Sequence, residues 1–439
     1  MINKIYFQIL GCAKNDVDTQ VMEGILERNR YEIVSRPDEA DAIFVNTCGF
    51  IDAAKEESIE WILKLAQYKK QGSLQKLYLT GCLAQRYPDE LRKEIPEIDG
   101  ILGPGYIKEI ANYLKTEDTE SLTSTVSTDY AENVRRIEAN KTAYVKISEG
   151  CNNRCSYCII PYLRGNNRSR KVEDITEEVK NLAAAGAEEI ILVAQNTTDY
   201  GIDLYGRYSL DTLLKELTKI KEIKWIRLLY AYPDHFTDEL IDLMAEDNNI
   251  IPYIDMPLQH SSDRVLKAMN RHSSKKQILS LIRKLRERIP QLVLRSTFIV
   301  GFPGESQEDF EDLLFFIEEV KFDRLGVFTY SKEENTKAYD MEGHLSDEIK
   351  KNRYNAIMTK QQEISRQKLA DKLGETLEIL IEEKLEDDVY LGRSYMDAPD
   401  VDGLVYVRAK EPLKIGSFYS VLVTESSEYD LLARLCNQH

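Results

Sequence analysis

The chain has 439 residues, of which 43% are hydrophobic and 30% are charged, a balance typical of a soluble globular protein. Its net charge of −17 argues against broad, unspecific binding to nucleic acid, because phosphate contacts need surplus lysine and arginine. No apolar run reaches the roughly 18 residues of a membrane span, and the apolar stretch 5–10 is too short for a secretory signal. We therefore expect a cytoplasmic protein without a membrane partner, whose clustered cysteines bind metal before they form disulfides.

The length suggests about three domains, and the first is predicted as a small parallel α/β domain over residues 1–113. Short apolar strands alternate there with helix-like runs. The predicted strands are 5–10, 42–46 and 77–80, and the predicted helices are 17–28, 52–68 and 89–95. The strands end at Cys12, Cys48 and Cys82. Because ligands of open α/β sheets bind outside the carboxyl ends of the strands, we predict a three-thiolate site there; an ordinary buried thiol is the alternative for any one cysteine.

Residues 114–138 are polar and rich in serine and threonine, which predicts a linker. From residue 139 to 373 strands and helices alternate again, in a pattern typical of an incomplete (β/α)6 barrel with a trailing helix, 346–373. The predicted strands are 143–148, 190–194, 225–229, 253–256, 293–300 and 325–330, with helices 175–185, 210–220 and 275–288. The active site of such a barrel lies at the C-terminal ends of its strands.

A C-x₃-C-x₂-C loop formed by Cys151, Cys155 and Cys158 follows the first predicted barrel strand directly. Three thiolates on a four-iron cluster leave one iron open to a substrate or cofactor. Iron–sulfur electron carriers usually close every site with cysteine, and structural zinc takes four ligands. The loop therefore indicates a cluster that does chemistry, whereas a non-enzymatic iron–sulfur or zinc protein with structural cysteines is the alternative.

The last part of the chain, 374–439, predicts a small β-barrel. Its predicted strands are 377–381, 404–407 and 419–423. Residues 375–439 hold 14 Asp and Glu against 6 Lys and Arg, a balance of −8. Such an acidic domain suits a basic protein partner better than a phosphate backbone.

The cysteine motifs together resemble a known family. The stretch from Glu149 through Cys158 resembles the cluster loop of radical S-adenosylmethionine (SAM) enzymes, and the upstream three cysteines resemble the N-terminal domain of the methylthiotransferases in that superfamily. The resemblance covers essentially the whole chain. It implies an α/β fold class with an N-terminal parallel α/β domain, a radical-SAM partial (β/α)6 TIM-like barrel and a small C-terminal TRAM β-barrel.

Two branches of this family differ in substrate. The stretches 11–15, 46–51, 81–87 and 392–399 resemble the RimO-type branch, which modifies an aspartate of small-subunit ribosomal protein S twelve. The other branch modifies adenosine in tRNA and is the alternative, together with a plain radical-SAM methyltransferase. Ala13 departs from the family, where proline is frequent, and so does Asn196, where aspartate is usual.

The RimO-type resemblance implies two 4Fe–4S clusters and SAM as cofactors, with SAM serving as methyl donor and as radical source. The cluster on Cys151, Cys155 and Cys158 would cleave SAM, and the resulting radical would take hydrogen from the aspartate β-carbon. The upstream cysteines would hold a second cluster that presents the sulfur. We expect a basic ribosomal protein as substrate, a reductase or flavodoxin-like electron donor, and no nucleic-acid partner except as part of the ribosome.

Several residues near the predicted strand ends are candidates for contacts with SAM. They are Tyr157, Gln195, Asn196, Gln259, Arg295 and Gly301. Arg295 lies within an apolar strand and therefore needs a charged partner, either the SAM carboxylate or a nearby Asp or Glu. We expect no catalytic residue beyond the cluster-bound SAM, and we favour a role in the site for His260 over a surface position.

Overall fold

The computed structural model describes residues 2–116, 121–123 and 140–436. Most of the predicted linker, 114–138, lies outside the described residues. The chain divides into two compact units, one formed by Met1–Glu222 with Ser331–Tyr339 and the other by Ile223–Tyr330 with Asp340–His439. The domain boundaries read from the sequence stay predictions.

The first unit begins with a five-stranded parallel sheet covered by helices on both faces. Its elements are β1 Lys4–Ile9, α1 Ala13–Arg28, β2 Glu32–Ile33, β3 Ala42–Thr47, α2 Asp52–Lys70, β4 Lys76–Thr80, α3 Gly81–Arg86, α4 Pro88–Glu94, β5 Gly100–Leu102 and α5 Ile110–Tyr113. The strand order is β2-β1-β3-β4-β5, in a register that places Ile5 beside Ala42 and Ile43 beside Leu77. The order reverses direction between β1 and β3, and ligands of such sheets bind at this switch point.

Apolar packing on both faces explains why the central strand β3 is buried along its whole length. On one face Ile43 and Val45 pack against Ile62 of α2. On the other face the ring of Phe44 stacks on Tyr78 with the ring centroids 4.8 Å apart. Each fully buried side chain of this kind stabilises the fold by about 1.5–3 kcal/mol.

The remainder of the first unit starts the barrel. Its elements are β6 Thr142–Lys146, β7 Ser148–Glu149, α6 Ile160–Arg164, β8 Arg168–Ser169, α7 Val172–Ala184, β9 Glu189–Val193, α8 Ile202–Tyr205 and α9 Leu210–Leu217. Strand β6 pairs with β9 in parallel, and the short ribbon of β7 and β8 flanks the predicted cluster loop.

The second unit continues the alternation of strands and helices. Its elements are β10 Trp225–Leu228, α10 Asp238–Glu246, β11 Ile250–Asp255, α11 Asp263–Ala268, α12 Lys275–Arg288, β12 Val293–Val300, α13 Gln307–Val320, β13 Arg324–Thr329 and α14 Asp347–Ala370. Strands β10 to β13 pair side by side in parallel. Helices α12 and α13 begin at capping boxes, in which Ser274 bonds to Gln277 and Ser306 to Asp309. The six strands predicted for the barrel are therefore all present.

The end of the chain forms a closed barrel of five strands in the order β14-β15-β16-β18-β17. They are β14 Thr376–Glu386, β15 Val389–Arg393, β16 Val405–Arg408, β17 Phe418–Ser426 and β18 Leu431–Leu435. The sequence predicted three of them and missed β15 and β18. Among the described helices, none combines the length and the apolar character that a membrane span needs.

Buried ion pairs join the small barrel to the β10–β13 sheet within the second unit. Asp402 accepts a hydrogen bond from the Tyr253 hydroxyl at 2.6 Å and pairs with Arg295 Nε at 3.3 Å. Arg324 pairs with Asp397. The carboxylates of Asp397 and Asp402 are each 2% exposed, so these pairs fix a specific docking geometry.

Candidate iron–sulfur and cofactor site

The structure brings the three strand-end cysteines to one edge of the N-terminal sheet. Cys12 caps the N-terminus of α1 after β1, Cys48 follows β3, and Cys82 lies in the first turn of α3 after β4. Since β1, β3 and β4 are neighbours and run in parallel, their carboxyl ends meet at the switch point of the sheet.

Glycines beside the cysteines allow the strand ends to approach each other closely. A Cβ atom on Gly11 would lie 2.8 Å from the Cβ of Cys48. Gly81 has a φ of +91°, and a Cβ there would lie 2.3 Å from the carbonyl oxygen of Thr47. Any larger residue at either position would push the cysteine loops apart, so the chain forms a cradle that only glycine permits.

Hydrogen bonds tie the same strand ends together. The Asn15 side-chain amide donates to the carbonyls of Leu10 at 2.7 Å and Thr47 at 3.2 Å. The Thr47 hydroxyl donates to the carbonyl of Thr80 at 2.6 Å. These bonds fix the spacing of all three cysteine loops.

Two thiols of this group, those of Cys48 and Cys82, sit in a low-dielectric environment. Burial raises the pKa of the Cys48 thiol to about 11, and burial also raises the pKa of Cys82. Without a ligand these thiols stay protonated at neutral pH, and a metal centre would release their protons on binding.

The second cysteine group lies in the loop between β7 and α6. The backbone amide of Cys151 donates to the carbonyl of Gly165 at 3.0 Å, and that of Cys158 donates to the carbonyl of Cys155 at 3.0 Å. These bonds fold the loop back on itself, so three thiols within eight residues share one short turn.

Within the described ranges, no group of three His, Cys, Asp or Glu side chains is arranged to hold a single metal ion. The cysteines of an iron–sulfur cluster each bind a different iron, so they stand farther apart than the ligands of one ion. Both three-cysteine groups fit this ligand set. The glycines hold the strand-end cysteines close together, and the folded loop holds the other three.

A buried network of four charges, which was not predicted from the sequence, lies beside the cysteines. Lys146 pairs with Asp18 and, at 2.5 Å, with Glu149. Arg164 Nη1 pairs with the same two carboxylates at 3.1 and 3.0 Å. Arg164 Nε also donates to Cys82 Sγ at 3.4 Å. A lysine inside the apolar strand β6 was the available signal, because a charged residue is seldom buried without a partner.

Within this network, Glu149 and Arg164 keep each other ionised. Burial alone would raise the pKa of Glu149, but Arg164 and Lys146 outweigh it and keep that pKa well below its usual range. Burial alone would lower the pKa of Arg164, but Cys82, Glu149 and Asp18 hold that pKa well above its usual value. Glu149 and Arg164 are therefore both charged throughout the physiological pH range.

In the first unit, the candidates for SAM contacts have buried polar atoms to offer. Gln195 Nε2 donates to Glu149 at 2.6 Å, while its Oε1 is buried with no partner among the described residues. Asn196 accepts from the Thr198 amide at 3.2 Å, and its Nδ2 is likewise buried without a partner in the described part of the chain. Tyr157 is half-buried. The two orphaned amide atoms fit a polar cofactor at the end of β9.

In the second unit, Gln259 and Gly301 have left-handed backbone conformations, with φ of +72° and +75°. The Oε1 of Gln259 is buried, again without a partner among the residues described. His260 is fully buried, its Nδ1 accepts from the Ser262 amide at 3.0 Å, and burial lowers its pKa to about 4. It is therefore neutral near pH 7, and a surface position is excluded.

Arg295 has the carboxylate partner that the sequence analysis gave as one of two possibilities. Its Nη1 pairs with Asp255 at 2.9 Å and its Nε with Asp402 at 3.3 Å. The pair with Asp402 links β12 to the small barrel, and the pair with Asp255 joins β12 to β11. The assignment of Arg295 to the SAM carboxylate stays a prediction.

A further element of the site is the segment Ser331–Tyr339, which we call the bridging segment and which the sequence analysis did not single out. Its Glu333 pairs with Arg86 of α3 at 2.8 Å and with Lys55 of α2 at 2.9 Å. Its Ala338 amide donates to the carbonyl of Ser156, between two cysteines of the second group, at 2.8 Å. One short segment thus contacts the surroundings of both cysteine groups.

Family models match three regions of the chain. They are the uncharacterized protein family UPF0004 over residues 4–103, the Radical SAM superfamily over 145–317 and the TRAM domain over 373–436. The fold and the cysteine loop thus define a radical SAM protein, and they confirm the predicted fold class. Membership of this superfamily carries SAM and an iron–sulfur cluster as cofactors.

Curated relatives narrow the class further. The chain is 50% identical over 434 residues to the ribosomal protein uS12 methylthiotransferase RimO of Desulforamulus reducens, covering 97% of this chain and 98% of the relative. It is 48% identical over 434 residues to the protein of that name from Clostridioides difficile, covering 98% of each. The chain belongs to the RimO family of radical SAM methylthiotransferases, which confirms the resemblance read from its motifs.

Solved structures show the same fold at much lower identity. The radical S-adenosylmethionine methyltransferase TsrM from Kitasatospora setae, with cobalamin and a [4Fe-4S] cluster bound, gives a TM-score of 0.57 at 14% identity over 75% of each chain. The cobalamin-dependent enzyme OxsB gives 0.52 at 13% identity, covering 83% of this chain and 56% of OxsB. Similarity at this level describes the fold alone.

Proposed function

We propose that this chain adds a methylthio group to the β-carbon of an aspartate in ribosomal protein uS12, using SAM and two 4Fe–4S clusters. Cys151, Cys155 and Cys158 would hold the cluster that binds SAM. The three strand-end cysteines would hold the second. The observation that carries the proposal is the convergence of those strand-end cysteines at the switch point of a sheet in the same unit as the C-x₃-C-x₂-C loop.

The arrangement of ligands supports this chemistry. A four-iron cluster with one open iron and bound SAM supply a carbon radical, which ordinary acid–base groups do not generate. The chain's own part is to hold three thiolates at each site and to orient the cofactor. The buried amides of Gln195 and Asn196 at the end of β9 offer one acceptor and one donor for that purpose.

The charge of the C-terminal barrel favours a protein substrate over tRNA. Residues 375–439 carry 14 acidic against 6 basic residues, and a domain that binds tRNA needs basic groups to neutralise phosphates. Ribosomal proteins are generally basic, so an acidic docking domain is electrostatically complementary to uS12. A reductase or flavodoxin-like electron donor and a cytoplasmic location stay predictions.

The substrate can be tested directly. The full chain is reconstituted with iron and sulfide without oxygen and incubated with SAM, a reductant and either a uS12 peptide or tRNA, followed by mass spectrometry. We expect a methylthio addition on the peptide aspartate. Modified tRNA with untouched peptide would overturn the substrate, and a methyl addition lacking sulfur would overturn the reaction.

The two clusters can be counted on the same protein. We expect about eight irons per chain, and about four after Cys12→Ala. Cys436→Ala is the matched control, because this thiol lies in the terminal barrel near Thr376. About four irons in the parent chain, unchanged by Cys12→Ala, would contradict the second cluster.

A further inference from the structure

Arg164 connects the two cysteine groups through its own side chain. It is the last residue of α6, the helix that follows Cys158 directly, yet its guanidinium lies against the other group. Its Nε donates to Cys82 Sγ at 3.4 Å and its Nη2 to Asn15 Oδ1 at 2.8 Å. The side chain is 2% exposed, so it is held in this position from all sides.

Arg164 also balances the charge around Cys82. The buried network contains two carboxylates, Asp18 and Glu149, and two cations, Lys146 and Arg164. It is neutral only while Arg164 is present. Without that guanidinium, the surroundings of Cys82 would gain a net negative charge in a region that water does not screen.

We infer that Arg164 is a positioning residue for the second cluster, which holds the Cys82 sulfur through an N–H···S hydrogen bond and raises the reduction potential of that cluster. The inference rests on the proposed function, which places a cluster on the strand-end cysteines. Reduction adds one negative charge to a cluster, and hydrogen bonds to its sulfurs help set its potential. A cationic donor at a ligand sulfur therefore favours the reduced state.

The test isolates the second cluster within the full chain. Cys151→Ala, Cys155→Ala and Cys158→Ala together remove the ligands of the first cluster. The remaining cluster is reconstituted without oxygen and titrated with dithionite, and the reduced fraction is followed by electron paramagnetic resonance. The readout is a midpoint potential, which needs no catalytic turnover and which a purely structural residue would leave unchanged.

In this background Arg164→Gln removes the charge and the guanidinium donor. We expect a lower midpoint potential, with at least a tenfold change in the oxidised-to-reduced ratio at a fixed potential, which is 59 mV for a one-electron couple. Arg164→Lys keeps the charge without the planar fork, and we expect a smaller decrease. Arg324→Gln is the matched control, because it removes a buried guanidinium from its pair with Asp397 in the other unit.

Because Arg164→Gln leaves two buried carboxylates with one cation, a second variant combines it with Asp18→Asn and restores neutrality. A decrease in potential in this double variant supports the inference as well. An unchanged potential in the Arg164 variants would overturn it, and so would loss of the cluster from every one of them, since Arg164 would then be required to assemble the cluster and not to set its potential. A triple-alanine parent that binds no iron would instead overturn the two-cluster function, and the inference with it.

Discussion

Removal of the charge on Glu333 tests how firmly the bridging segment is held. Its carboxylate is 3% exposed and pairs with Arg86 at 2.8 Å and Lys55 at 2.9 Å. Glu333→Gln keeps the size of the side chain and an acceptor for the Ser331 hydroxyl, which lies 2.7 Å from Oε1. The substitution therefore removes the charge and little else.

The two cations respond differently to this loss. The Arg86 side chain is 0% exposed, and its other hydrogen bonds are to the backbone carbonyls of Gly49 and Glu334. An uncompensated buried charge of this kind costs about 3–5 kcal/mol. Lys55 keeps its pair with Asp52 at 2.6 Å, so its contribution stays below about 1 kcal/mol.

Hydrogen exchange measures the effect where it should appear. The Ala338 amide, bonded to Ser156, should exchange roughly a hundred- to a thousandfold faster in Glu333→Gln, since every 1.4 kcal/mol of local stability is about tenfold. Glu334→Gln is the matched control, because this neighbouring glutamate is exposed. Equal exchange rates in the two variants would refute the role of the buried carboxylate.

Three further predictions concern other parts of the molecule. Gly81→Ala should lower the iron content by about half, because its Cβ would clash with backbone at 2.3 Å, whereas Gly72→Ala, with a φ of +79° and nothing within 4 Å, should retain the iron. Burial lowers the pKa of His260 to about 4, so between pH 6.5 and 4 the unfolded state takes up the proton more readily than the folded state. The free energy of unfolding should therefore fall by about 3 kcal/mol as the pH falls from 6.5 to 4. In His260→Asn the urea midpoint should therefore depend less steeply on pH over that range, and an unchanged slope would contradict this. Asp402→Asn should weaken docking of the small barrel by about 1–3 kcal/mol, the scale of one hydrogen bond to a charged group, because Arg295 keeps its pair with Asp255. We expect faster proteolytic release of that barrel, and unchanged proteolysis would argue against the pair.

The sequence predicted long, regular elements better than short ones. The strand predicted at 293–300 is observed as Val293–Val300, because its β-branched and aromatic residues favour a strand over the whole segment. Glu32–Ile33 and Gly100–Leu102 were missed because strands of two or three residues carry no periodicity. Leu431–Leu435 was missed because its leucine, alanine and arginine favour helix, and only pairing with neighbouring strands of the small barrel makes it a strand.

In the site, too, local features could be predicted from the sequence and long-range contacts could not. The two cysteine groups were visible because their spacing and their places at strand ends are local features. The charge network was not, because Lys146 and Asp18 are 128 positions apart and Arg164 and Cys82 are 82 apart. Contacts at that separation follow from packing rather than from any pattern along the chain. The role of Glu333 was not predicted for the same reason.

The bridging segment limits how freely the domains of this chain can be exchanged. By position in the sequence, the N-terminal domain is a module that could be cut out or swapped between relatives at one boundary. Yet the carboxylate that neutralises its Arg86 and Lys55 comes from Glu333, far along the chain. A chimaera that joins one relative's N-terminal domain to another's barrel must therefore carry a matching Ser331–Tyr339 segment. The part of the chain that has to be exchanged together is set by contacts and not by chain order.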